Sequence, residues 1–138
     1  MAPSTDDDRP YARRDGLYIS GQQAEDEGRS IVRFLASGEV VTAGVGSTDD
    51  PATLAEQVAR WLAPGHRYVS AGRCEHDGDE VRFVASSSYG NVSYAGRIAR
   101  DGLEMELAWH SDINGNSGSE RYWFVPVQSL RDEPEAVE

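Results

Sequence analysis

Lysine is missing from this chain: all thirteen basic residues among its 138 are arginine. Schiff-base formation and every other lysine chemistry are thereby excluded. Cysteine occurs once, as Cys74, so no intrachain disulfide can form, which fits a reducing compartment. Positive charge is scarce overall, since 24 acidic residues bring the formal net charge to −11. Phosphate backbones and anionic headgroups repel such a chain, so neither nucleic acid nor a membrane surface is an expected partner. No basic stretch with an apolar run behind it opens the chain, and no apolar run reaches spanning length. A cytoplasmic location is the expectation.

Chemistry-bearing motifs are equally thin. Of the three histidines, His66 follows Pro64-Gly65, His76 falls in a predicted turn and His110 points outward by strand alternation. With Cys74 they offer too few ligands for structural zinc, and Cys74 itself suits packing as a small hydrophobe. No Gly-x-Ser-x-Gly elbow occurs, and Ser86-Ser87-Ser88 has no base beside it. Asp112-Ile113-Asn114-Gly115-Asn116 begins like a calcium loop, but Ser117 and Trp123 stand at its sixth and twelfth positions. Asn and Gly there suit the positive φ of a hairpin loop. No metal and no cofactor are expected, and no catalytic residue can be assigned.

What the chain does have is alternation. Residues 80–87, 91–99, 103–111 and 120–127 read as consecutive strands, short, rich in β-branched or aromatic residues and bounded by Gly, Asn or Asp. Val81, Phe83 and Ala85 alternate with Glu80, Arg82 and Val84; Met105 and Leu107 alternate with Glu104 and Glu106. Successive side chains face opposite ways, so the charges fix which face is outside. The predicted inward set includes Val32, Cys74, Val92, Ile98, Leu103 and Ser111 beside the large aromatics. Arg97 and Glu104 are expected to pair across the Arg100-Asp101-Gly102 turn.

Upstream, 16–20 forms a first strand, 30–35 and 39–45 form a hairpin around Gly38, and 67–74 forms a fourth strand. Between the third and fourth strands the period changes. Asp50 is a good N-cap with Pro51 at the first helical position, and Leu54, Val58, Trp61 and Leu62 make one apolar stripe, ended at Ala63-Pro64-Gly65. The expected place of this helix is a barrel end, where it would gate the interior; packing on the outside is the alternative. Residues 1–15 and 129–138 are expected to be disordered polar tails flanking one domain over 16–128.

The fold class is therefore all-β: an eight-stranded antiparallel up-and-down β-barrel with one short helix between strands 3 and 4. The chain resembles a small bacterial lipocalin-like protein of the calycin type over roughly 16–127. The resemblance rests on the strand order, on Ile31-Val32-Arg33-Phe34-Leu35 before the Gly38 turn, on Val92-Ser93-Tyr94-Ala95-Gly96, and on Ser111-Asp112-Ile113-Asn114-Gly115 before Tyr122-Trp123-Phe124. Gly16-Leu17-Tyr18 stands where lipocalins carry Gly-x-Trp. It implies a cup for a small apolar molecule.

The candidate ligand-binding residues are Phe34, Phe83, Tyr94, Met105, Trp109, Tyr122 and Phe124, an apolar lining with a few O–H and N–H groups. The expected partner is a small apolar ligand or substrate, with homodimerisation open. An alternative is a barrel cyclase of a bacterial natural-product pathway, closing a ring in a polyketide-like substrate by shape and a hydrogen-bond donor. A third reading is a filled barrel that acts through its surface.

Overall fold

Charge alternation along one strand orients the whole sheet. In β5 (Glu80–Ser87) Val81, Phe83 and Ala85 are buried while Glu80, Arg82 and Val84 are exposed. A computed structural model describes residues 12–20, 29–35, 37–45, 50–62, 69–87 and 90–127. Around β5 stand β1 (Gly16–Ser20), β2 (Arg29–Phe34), β3 (Glu39–Val45), β4 (Ser70–Asp77), β6 (Gly90–Ile98), β7 (Glu104–Ser111) and β8 (Ser117–Pro126). Each pairs antiparallel with the next, and β8 returns to β1. The result is a closed eight-stranded up-and-down barrel, with α1 (Pro51–Ala59) between β3 and β4.

The expected tail as far as Tyr11, the Glu25-Asp26-Glu27 loop, the helix stop at Ala63-Pro64-Gly65, His66 and the acidic C-terminal tail lie outside the described residues. Residues 12–15, counted with the tail in the sequence, pack against the barrel: Ala12 is buried and the Arg13 N–H donates to the Tyr18 hydroxyl at 2.9 Å.

One cluster fills the barrel from the end where β2 turns into β3. Tyr18 meets Phe34 and Phe124 edge-on at 5.5 and 5.3 Å, and Phe34 meets Phe83 edge-on at 6.2 Å. Val32, Val40, Val81, Ile98, Met105 and Leu107 complete this core. Arg13 closes the end, its guanidinium 4.8 Å from the centroid of the Phe124 ring.

A second cluster lies outside the barrel wall, and it corrects the expected place of the helix. Leu54, Ala55, Val58 and Leu62 pack on Leu17, Ile19, Ile31, Val41 and Val127, with Trp61 partly buried beside them. The helix therefore covers the outer face of the wall and caps no barrel end. The reason is in the strands: β1 is buried at all five positions, so its outward Leu17 and Ile19 need a cover as much as Tyr18 needs a core. Asp50 starts the helix as expected, its carboxylate accepting the Thr53 N–H at 3.2 Å and the Thr53 hydroxyl at 2.7 Å. Arg33 also faces this layer; it is buried and donates from Nη1 to the Leu62 carbonyl at 2.9 Å.

Two further expectations are corrected. Ala99 N–H bonds to the Glu104 carbonyl, which makes the β6–β7 turn longer than expected and sets Arg97 opposite Glu106 rather than Glu104. Arg97 instead reaches Asp79 at 3.1 Å and Glu80 at 3.3 Å. Leu103, expected inside, sits in that turn and is 44% exposed.

Candidate ligand site

Every one of the seven candidate residues belongs to an inward-facing row, but only some of them meet open space. Phe34, Phe83, Met105 and Tyr122 are buried in the barrel core, and Tyr94 and Phe124 pack partly buried against it. Phe83 lies stacked on Tyr94, ring centroids 4.7 Å apart. Trp109 is half-buried and lies over Gly118 in the neighbouring strand, where a Cβ would come within 3.1 Å of its ring. Gly96 lies two residues from Tyr94 in the same inward row and adds no room to the barrel. A Cβ there would run into the Glu106 carbonyl oxygen, so its missing side chain is used by the close approach of β7.

A cavity of about 190 Å³ opens at the other end of the barrel, where β1 leads to β2 and β3 leads to the helix. Tyr94 and Tyr122 line it, joined by Ser30, Thr42 and Ser70 and by Val32 and Gly44. The expected set contained the two tyrosines and missed the hydroxyls. Ser20, also buried, accepts the Ser30 N–H at 2.8 Å, and the Ser30 hydroxyl donates to Glu120 Oε1 at 3.2 Å. Glu120 pairs with Leu107, an inward residue, and so faces the interior itself. Alternation was a sufficient signal for Thr42, two residues from Val40, and for Glu120, two residues from Tyr122. Attention to apolar residues alone passed over both.

Burial raises both phenols above the ordinary tyrosine range. Tyr94 is lifted by desolvation, partly offset by its hydrogen bond with Thr42. Tyr122 is lifted further, by desolvation first and then by the charge of Glu120. Both are therefore O–H groups at neutral pH, able to donate and to accept. The cavity is a ring of hydroxyls with a carboxylate behind one of them.

No protein-family model, curated protein or solved structure matches this chain.

Other groups have structural partners. Cys74 faces the interior beside Phe83, and burial pushes its thiol up to about 11, far from a reactive thiolate. His76 lies 6.2 Å from the Phe34 ring at the closed end, and burial holds its pKa down. His110 faces outward, 3.7 Å from Asp112. In the 112–116 loop Asn114 Oδ1 accepts the Asn116 N–H at 2.9 Å and Gly115 takes φ +78°, so these residues build the turn. Among the described residues no group of three or more His, Cys, Asp or Glu is placed to hold a metal ion. Among them, too, no helix is long and apolar enough to cross a membrane. An open groove of about 600 Å³ runs along β4–β7, lined by Arg73, Glu75, Arg82, Val84 and His110 and by the candidate residues Phe83, Tyr94 and Trp109.

Proposed function

We propose that this protein is a lipocalin-like binding barrel that takes one small molecule into the cavity beside Tyr94 and Tyr122. The observation behind this reading is that buried side chains cluster toward one end of the closed barrel and a cavity opens at the other. A ligand there sets an apolar body against Val32 and the two phenol rings and a polar handle against the hydroxyls of Ser30, Thr42 and Ser70.

Size limits the ligand. Drug-sized molecules occupy sites of about 300–1,000 Å³, whereas an engineered apolar cavity of about 150 Å³ holds benzene. At about 190 Å³ the cavity suits a molecule built on a single ring. A flexible polyene needs more room, so the cavity gives the cyclase alternative no support.

Isothermal titration with a panel of single-ring and short aliphatic compounds tests the proposal. Kd values below about 1 mM are expected, together with loss of binding in Ser70→Leu, which fills the space from a strand end. Nothing binding better than millimolar would sink it.

A further inference from the structure

Resting on that reading of the cavity, we propose that its ligand is an organic cation: a primary ammonium carried on a compact single-ring body, with its charge met by Glu120. The carboxylate is brought to the site by strand alternation. Leu107 and Tyr122, its cross-strand partner and its neighbour two residues on, are both in the interior core. Its Oε1 lies 3.2 Å from the hydroxyl of Ser30, which lines the cavity. A half-buried carboxylate turned into a barrel is costly unless something compensates its charge. Among the described residues its one side-chain hydrogen bond is the neutral one from Ser30.

The lining in front of Glu120 agrees in sign. Among the described residues it holds hydroxyls, apolar groups and aromatic rings, with no arginine. An ammonium carries three donors and no acceptor. Hydroxyl oxygens of Ser30, Thr42 and Ser70 can accept from it, and the faces of Tyr94 and Tyr122 favour a cation beside them. An anion would meet the charge of Glu120 with no basic group in the described lining to offset the repulsion. The chain as a whole, at net charge −11, also raises the local concentration of cations.

The test compares phenethylammonium with 2-phenylethanol, nearly identical in shape and differing in charge, by isothermal titration against the full chain at low salt. The amine is expected to bind about tenfold tighter or more, as a charge-assisted hydrogen bond allows. Glu120→Gln should erase that preference while leaving the alcohol's affinity within about twofold. Equal binding of the two probes to the native chain, or a preference that survives in Glu120→Gln, overturns the cation assignment and leaves the cavity a binding site. Binding of neither probe overturns both. The comparison on the native chain decides even where the variant fails to fold.

Discussion

The Tyr18 hydroxyl donates to the Gly102 carbonyl at 2.7 Å, tying the first strand to a turn 84 residues away. The same oxygen accepts the Arg13 N–H at 2.9 Å, so one phenol fastens the entering chain, β1 and the β6–β7 turn at the closed end. Tyr18→Phe keeps the ring and leaves two backbone groups without that partner. A stability loss of about 1–3 kcal/mol follows, read as a lower urea midpoint at unchanged m-value. A change under about 0.5 kcal/mol would mean that water replaces the phenol there.

Alkaline pH should act through the same residue and through the cavity tyrosines. Burial pushes Tyr18 up to about 12 and raises Tyr94 and Tyr122 as well. A group with a raised folded-state pKa contributes stability that is complete below its unfolded value of about 10 and is lost as pH rises through the folded one. Stability should therefore be insensitive to these tyrosines up to about pH 9.5 and fall from pH 10 to 12 and beyond. Phenolate absorbance near 295 nm should rise in two stages, the second coinciding with loss of near-ultraviolet dichroism. Titration of all six tyrosines near pH 10 with the fold intact would contradict this.

Phe83 is 4% exposed, stacked on Tyr94 and edge-on to Phe34. Phe83→Ala removes a ring from a packed interior and should cost about 3–5 kcal/mol in denaturant titration. A loss below about 1 kcal/mol would mean that the interior collapses onto the gap.

The inward face of β5 and β7 was legible because Glu80, Arg82, Glu104 and Glu106 allow only one parity. Closure was legible too, since the strands follow one another through short links. The helix position was not. A strand buried on both faces, such as Leu17-Tyr18-Ile19, shows no alternation, so nothing local says that its outer face needs covering. Arg33 hides the same fact, being charged, outward in parity and yet buried beneath Leu62. The polar end of the cavity escaped notice for a different reason: Ser30, Thr42 and Glu120 obey the alternation but have the side chains of a solvent face.

The outer position of α1 reverses what a gating helix would do. Leu62 is fully buried against the wall, so Leu62→Ala should cost about 2–5 kcal/mol. Trp61, partly buried in the same layer, should when replaced by Ala lower stability and leave ligand exchange unchanged. Stopped-flow release rates that rise severalfold in Trp61→Ala without a stability change would restore the gate.

Tyr94 and Trp109 stand opposite each other in the β6–β7 ladder, yet the cavity touches only the first. Tyr94→Phe keeps the ring that stacks on Phe83 and deletes one hydroxyl from the cavity wall. Its bond to Thr42 is lost as well, leaving Thr42 free to turn to the ligand or to water. A net hydrogen bond is worth about 0.5–1.5 kcal/mol, so affinity for the best probe should fall roughly two- to tenfold. Trp109→Phe, over Gly118, should leave affinity within about twofold. The two variants thus separate a ligand in the hydroxyl-lined cavity from one elsewhere along the aromatic rows. If Trp109→Phe weakens binding and Tyr94→Phe does not, the ligand lies outside the cavity and the proposed site is wrong.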